Sequence, residues 1–390
     1  MKKEIIVLGS TGSVGSSVLN VINKNKNFKI KLLTTKKNVN KILNQAICHN
    51  VKDVIIEDKI KFLRYKSVFL KKKIKLHLGI INIKKILKNK VTYCVNSISG
   101  LDGLEPTLNT IPFTKNLLMA NKESIICGWH LIKRNLEKHK TRLIPLDSEH
   151  FSIFELIKND EKYLIEKIIL TASGGPFLNI SKKKLSNIKP KDALKHPNWK
   201  MGKKITIDSS NMMNKIFEYI EAKKIFNLKN DQISILIHPK SFVHAIVFFK
   251  GNLIKFLAHE TSMTIPIANA LGIKNKIDTK LMNQNYKNLN KINFLKPKIK
   301  HFPLLSIINL IPNRTSFFET ILITLNDLLV EKFLKNKIKY ISIEKILLKL
   351  LKKPYFIRFY KLKPRNIYDI KKMVIITELY LEKNLNIYEK

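Results

Sequence analysis

The run Pro145-Leu146-Asp147-Ser148-Glu149-His150 sets two carboxylates two residues apart, behind the short apolar stretch Leu143-Ile144. On an extended backbone such residues point to the same side. Two carboxylates so placed repel, and one tends to stay protonated. A hard divalent cation such as Mg2+ or Mn2+ removes that conflict, because it takes oxygen ligands. The same spacing also fits a helix that begins near Glu149 with Asp147 or Ser148 as its cap. Taken alone, it leaves both readings open.

A second set of groups lies further on. Ser209 to Ala222 has a helical pattern, in which Asn214, Lys215 and Glu218 fall on adjoining faces. One helix can then offer a phosphate Lys215 and Asn214 and offer a metal Glu218; a solvent salt bridge between Lys215 and Glu218 is the plainer alternative. Ser173-Gly174-Gly175-Pro176-Phe177 follows a strand-like run, Ile168 to Thr171. Its hydroxyl and exposed N–H groups suit an oxyanion, although a plain tight turn has the same composition. His196-Pro197-Asn198-Trp199 with Met201 and Gly202 reads as a closing lid or a surface loop with one buried Trp.

Near the start, Glu4 to Leu8 reads as a buried strand, then comes Gly9-Ser10-Thr11-Gly12-Ser13-Val14-Gly15 and a helical pattern through Ile22. Strand, glycine turn and helix start together suit a pyrophosphate. The second strand, about Lys29 to Leu33, ends in Thr34-Thr35-Lys36-Lys37-Asn38 with no acid for the ribose hydroxyls. Lysines there pair with a 2′-phosphate, which favours NADP(H) over NAD. Ser99-Gly100-Leu101-Asp102-Gly103 is a further glycine turn suited to a cofactor edge.

These groups need elements to hold them. Candidate strands Val54-Ile56, Val91-Val95 and Asn116-Ala120 alternate with helical stretches, which indicates a doubly wound parallel sheet with its functional loops at the carboxyl ends of the strands. Asp231 to Phe249 suits an antiparallel sheet, and residues 273–300 read as a linker. Ser342 to Leu351 is amphipathic and reads as a core-facing helix with a lysine rim.

At 390 residues and 45% hydrophobic content, the chain has room for two or three domains. Cys48, Cys94 and Cys127 have no metal-like spacing and read as thiols of a reducing cytoplasm. The formal charge of +44 invites a nucleic-acid reading. However, arginine, the base-reading residue, is confined to Arg64, Arg134, Arg142, Arg314, Arg358 and Arg365, and lysine is spread everywhere. No apolar run has the length of a membrane span. The expectation is an enzyme with neither a specific nucleic-acid partner nor a membrane.

Six motifs in order give the chain a family resemblance. They are Gly9 to Gly15, Ala120-Asn121-Lys122-Glu123-Ser124, Leu146 to His150, Ser173 to Phe177, His196 to Trp199, and Met212 to Lys215 with Glu218 to Ala222. Together they resemble the 1-deoxy-D-xylulose 5-phosphate reductoisomerases. The resemblance implies an α/β fold with a Rossmann-like N-terminal domain (1–147), an α+β central catalytic and dimerisation domain (148–272), a linker (273–300) and a C-terminal helical domain (301–390). It implies a homodimer acting on a phosphorylated ketose with NADPH and Mg2+ or Mn2+. By motif position, Asp147, Glu149 and Glu218 would be the metal ligands. Lys122, Ser148, Glu149, Ser173, His196, Ser209, Asn214 and Lys215 would form the catalytic and substrate site, with Trp199 and Met201 in the lid. Gly9, Ser10, Thr11, Gly12, Ser13, Val14, Lys36, Lys37, Asn38, Gly100, Asn121, Glu123 and Gly202 would hold the cofactor. The chain departs from the family pattern at Lys36, at Ile216, at Thr261 to Pro266 and at Ile321 to Asp327. Another NADP-linked, metal-dependent oxidoreductase is the competing enzyme reading, and the Ser-Gly-Gly and Asn-Lys elements weigh against it.

Overall fold

The structure, a computed structural model, describes residues 2–23, 25–158, 164–199, 201–273 and 279–389. Lys200 of the expected lid and residues 274–278 of the expected linker lie outside them. The chain forms two compact units, Met1–Phe151 with Met263–Lys276, and Ser152–Ser262 with Ile277–Lys390.

The first unit is built on seven strands: β1 (Lys3–Leu8), β2 (Phe28–Thr35), β3 (Asp53–Ile56), β4 (Lys75–Leu78), β5 (Val91–Asn96), β6 (Thr114–Met119) and β7 (Arg142–Pro145). They pair in the order β4-β3-β2-β1-β5-β6-β7, every neighbour parallel. A parallel sheet carries helices on both faces, so its strands are continuous apolar runs. Ile5, Ile6, Val7 and Leu8 accordingly have no exposure at all. The strand order reverses between β1 and β5, the switch point at which such sheets take ligands. Four helices matter here: α1 (Ser13–Asn23), α2 (Val39–Cys48), α3 (Lys59–Lys71) and α4 (Lys122–Lys138). The helix Thr264–Ala270 belongs to this unit too and packs on α1. It therefore does not group with the 148–272 stretch that the resemblance implied.

Helix α5 (Ser148–Leu156) begins in the first unit and runs into the second. The second unit has four strands, β8 (Ile165–Ala172), β9 (Ile233–Ile237), β10 (Val243–Phe249) and β11 (Leu253–Ala258), in the order β11-β10-β8-β9. Strand β9 runs parallel to β8, so the sheet is mixed rather than antiparallel as expected. The reason is the long connection through α6 (Lys203–Ser210) and α7 (Met213–Phe226), which brings the chain back to start β9 at the same end as β8.

The pattern from Ser209 to Ala222 is not one helix. It breaks at Met212, whose φ of 69° is left-handed, so Ser209 and Ser210 end α6 instead of starting α7. Within residues 273–300, Thr279–Leu289 forms helix α8. Helices α9 (Phe318–Leu334), α10 (Tyr340–Leu351) and α11 (Ile367–Glu389) complete the unit. Ile343, Ile346, Leu347 and Leu350 of α10 are buried, as its amphipathic pattern predicts.

Candidate active site

In the first unit, the glycine turn closes the carboxyl end of β1. Gly9 N donates to Thr34 Oγ1 at 2.9 Å and Ser10 N to Thr34 O at 3.0 Å. Gln45 of α2 clasps Ser10 from both sides, accepting from its Oγ (2.8 Å) and donating to its carbonyl (2.9 Å). Thr11 Oγ1 lies 2.8 Å from Thr35 Oγ1. A Cβ on Gly15 would meet Gly9 O at 2.5 Å, so only glycine lets α1 approach the turn this closely. Gly12 and Ser13 are exposed and Thr11 and Val14 partly so, which leaves the rim of the turn open.

At the end of β2, Lys36 Nζ lies 2.6 Å from Asp102 Oδ2, with both side chains about two-thirds exposed, at 66% and 67%. Its ammonium is thus shared with an acid that reading β2 alone does not bring into view. Lys37 is exposed, and its carbonyl accepts from Lys61 Nζ of α3 at 2.7 Å. Asn38 caps α2, its Oδ1 accepting from Lys41 N at 3.3 Å. On the other side of β1, Asn121 caps α4 and donates through Nδ2 to Ile98 O (2.5 Å) and Gly100 O (2.7 Å). That fastens the Gly100 turn to the start of α4, where Lys122 and Glu123 are buried.

Strands β6 and β7 are parallel neighbours, so the residues after each meet at one end. Lys122 Nζ lies 2.8 Å from Asp147 Oδ2, with side-chain exposures of 9% and 15%. His150 Nδ1 lies 3.1 Å from Asp147 Oδ1. Burial pushes the Asp147 carboxyl up, but the Lys122 charge and the His150 bond outweigh it and hold the group well below the usual carboxylate range. Phe151 N donates to Asp147 O at 2.7 Å, and α5 starts at Ser148. Glu149 therefore stands in a helix's first turn, and the same-side argument for an extended chain does not apply. Its carboxylate accepts from Ser148 Oγ.

In the second unit, β8 delivers Ser173 and two glycines in left-handed conformations, Gly174 (φ 81°) and Gly175 (φ 67°). A Cβ on Gly175 would sit 2.7 Å from Ser209 O and 2.8 Å from Ser210 Cα. This close approach sets the Ser173 turn against the end of α6. His196 fixes the Ser173 hydroxyl. Its Nδ1 accepts from the backbone N–H groups of Asn198 (3.2 Å) and Trp199 (3.0 Å). Desolvation lowers its pKa to about 4, so the ring is neutral near pH 7. A neutral imidazole whose Nδ1 accepts must carry its proton on Nε2. Nε2 then donates to Ser173 Oγ at 3.1 Å, and Gly175 N donates to the same oxygen at 3.1 Å. With two donors on its oxygen, the Ser173 hydroxyl keeps its own proton to offer an anion.

The Ser173 turn lines a cavity of about 700 Å³ together with Phe177, Lys195, Pro197 and Pro239. Asn198 Nδ2 donates to Pro239 O at 2.6 Å and Ser241 Oγ at 3.0 Å, and the Trp199 ring meets His244 edge-on at 6.0 Å. Met201 is half-buried, and Gly202 caps α6 without a side-chain bond, accepting from Thr206 N at 3.1 Å. In α7, Glu218 is 1% exposed and accepts from both Asn214 Nδ2 and Lys215 Nζ. The Lys215–Glu218 pair is therefore buried and not a solvent bridge.

Thus the first unit gathers Lys122, Asp147, Ser148 and Glu149, and the second gathers Ser173, His196 and Ser209, with Asn214, Lys215 and Glu218 on one helix. Sequence reading assigned no role to His150, three residues from its partner Asp147, or to Asp208, Asn326 and Tyr340, the last two of which reach α6 across 118 and 130 residues. All four are types that also occur as ordinary core polar residues.

The chain matches three family models. Residues 5–128 match 1-deoxy-D-xylulose 5-phosphate reductoisomerase, residues 143–226 its C-terminal domain, and residues 259–376 the DXP reductoisomerase C-terminal domain. It is 51% identical over 374 residues to the reductoisomerase of Pelagibacter ubique, spanning 95% of this chain and 96% of that one. With the Wolbachia pipientis wMel protein of the same name it shares 38% over 354 residues, 88% and 89% of the two chains. Among solved structures, a reductoisomerase in complex with NADPH, fosmidomycin and magnesium superposes with a TM-score of 0.89 at 30% identity, over 98% of this chain and 99% of that one. The Zymomonas mobilis reductoisomerase in complex with NADPH gives 0.86 at 28%, over 97% and 98%. The chain belongs to the 1-deoxy-D-xylulose 5-phosphate reductoisomerase family.

Proposed function

We propose that this chain converts 1-deoxy-D-xylulose 5-phosphate, with NADPH and a proton, into 2-C-methyl-D-erythritol 4-phosphate and NADP+, using a divalent cation. The observation that carries the reading is the family match across both halves of the chain. A relative solved with NADPH and magnesium supports both groups. The local chemistry fits them. Asp147, Glu149 and Glu218 are hard oxygen donors, and the Asp147 carboxylate is held ionised beside Lys122. The Gly15 approach and the exposed rim of the turn suit a pyrophosphate.

In this reading the first unit binds the dinucleotide, with Lys37 and Asn38 at the 2′-phosphate and Lys36 sharing its charge with Asp102. The second unit binds the sugar phosphate. Ser173 donates its hydroxyl proton to a phosphate oxygen, beside Ser209, Asn214 and Lys215. Lys122 and Lys215 offset the carboxylates next to them and orient the substrate oxygens. Holding the phosphate away from the reacting carbons converts binding energy into alignment. When bound, the cation polarises the substrate oxygens for the skeletal rearrangement and the nicotinamide supplies hydride to the resulting aldehyde. His196 to Trp199 and Met201 shield the substrate from water.

Homodimerisation is part of the proposal. Edge strand β11 presents Leu253, Ile254 and Phe256, each about half exposed at 52%, 53% and 50%, and such an apolar edge suits a second copy. The three free cysteines fit a reducing cytoplasm. Purified protein given the ketose phosphate, NADPH and Mg2+ tests the reading: NADPH must be consumed and the branched polyol phosphate formed. NADPH consumption that does not depend on this substrate overturns it.

A further inference from the structure

We propose that helices α9 and α10 position the substrate phosphate, holding Ser209 from behind through Asn326 and Tyr340. This rests on the reading of Ser209 as a phosphate contact.

Ser209 has an anchored neighbour on each side. Asp208 is 1% exposed, and its Oδ1 accepts from Asn326 Nδ2 at 2.8 Å. Its other oxygen lies 3.5 Å from Lys204 Nζ, and that ammonium lies 2.8 Å from Asp327 on the same helix as Asn326. A carboxylate taken out of water is costly unless it is paired and hydrogen-bonded. Asp208 is therefore held in part from α9, directly by Asn326 and through Lys204 by Asp327. On the other side, Ser210 Oγ donates to Ile207 O at 2.6 Å, which uses its one proton. The Tyr340 hydroxyl, 2.8 Å away, is then the donor to Ser210 Oγ.

The Tyr340 ring has a second contact that bears on the site. It stands edge-on to Phe177 at 5.1 Å and to Phe333 at 5.6 Å. Phe177 closes the turn that begins at Ser173, so one buried side chain meets both the residue after Ser209 and the end of the Ser173 turn. Gly175, pressed against the Ser209 and Ser210 backbone, transmits any slip of α6 to the Ser173 turn. Asn326 and Tyr340 touch neither serine hydroxyl directly. They are positioning residues, and their loss is expected in substrate binding, not in the chemical step.

The test is steady-state kinetics on Asn326→Leu, Tyr340→Phe and Ser209→Ala, alone and in combination, with circular dichroism and the thermal midpoint as checks on folding. Asn326→Leu and Tyr340→Phe should each raise KM for the sugar phosphate about threefold or more, the low end of coupling within one network. The kcat and the KM for NADPH should hold. In the Ser209→Ala background neither change should raise KM further, because the group they position is gone. An unchanged KM in either folded variant, or a rise that persists undiminished beside Ser209→Ala, overturns the proposal. If Ser209→Ala itself leaves KM unchanged, the phosphate reading of Ser209 falls and takes the inference with it. Silent Asn326 and Tyr340 variants beside a defective Ser209→Ala remove the inference alone. Tyr340→Phe keeps the ring packing and removes one hydroxyl, so it still reads out if Asn326→Leu does not fold.

Discussion

The Lys122 ammonium stands 2.8 Å from the Asp147 carboxylate, and the two come from the ends of neighbouring parallel strands. The pair keeps Asp147 charged despite burial, which is the state a cation needs. Asp147→Asn preserves shape and removes the charge. Turnover should fall by more than about 10–100-fold, the range for outer-shell partners of a metal, because a direct ligand matters more. Chelation of the wild type should abolish turnover and added Mg2+ should restore it. Near-normal kcat in the folded variant would remove Asp147 from the metal site.

On the proposed function, two glycines separate the effects on the two ligands. Gly15→Ala places a Cβ 2.5 Å from Gly9 O and should raise the Kd for NADPH. Gly175→Ala combines a clash with a φ of 67°, a strain of about 1–3 kcal/mol. It should raise KM for the sugar phosphate and leave NADPH binding alone. Titration of NADPH fluorescence against both variants checks the separation, and crossed effects would contradict the assignment.

Cofactor selectivity should rest on Lys37 more than on Lys36. Lys36 already shares its charge with Asp102, a bond that raises its pKa. Lys37→Ala should weaken NADPH by about 1.5–3 kcal/mol, as for a hydrogen bond to a charged group, with NADH binding unchanged. Lys36→Ala should cost less. The ratio of NADPH to NADH dissociation constants for the two variants decides between them.

Acid should weaken the second unit through its histidines. Desolvation lowers His196 to about 4, and His259 to about 3 with help from the nearby His244. In the unfolded chain these rings return to the ordinary value near 6.5. Between about pH 6.5 and 4 the unfolded chain binds more protons than the folded one. Their contribution is therefore complete above about pH 6.5 and is lost as pH falls towards the folded values. The urea midpoint should drop between pH 7.5 and pH 5, and replacing His259 with Gln should flatten the drop. An equal drop in that variant would assign the acid loss to other groups.

Part of this was legible in the sequence because it is local. Ile5 to Leu8 read as a buried strand because a strand covered on both faces must be apolar throughout, and Gly9 to Gly15 followed at once. Asp147 and Glu149 were legible as a pair, but their geometry was not. Burial and the Lys122 bond are tertiary facts, and the helix start at Ser148 competes with an extended reading of the same residues. The break at Met212 escaped notice because a left-handed methionine carries no sequence mark, unlike glycine. Asn326 and Tyr340 could not be found at all by pattern, since their partners lie 118 and 130 residues away.

The first unit is assembled from two separated lengths of chain. Its helix Thr264–Ala270 buries Pro266, Ile267 and Ala268 and packs on α1, the helix that opens beneath the glycine turn. During synthesis the dinucleotide fold must wait for more than a hundred later residues before the outer face of α1 is covered. A fragment ending at Phe151 would leave that apolar face wet. The first unit is thus finished only after the whole Ser152–Ser262 stretch of the second has been synthesised.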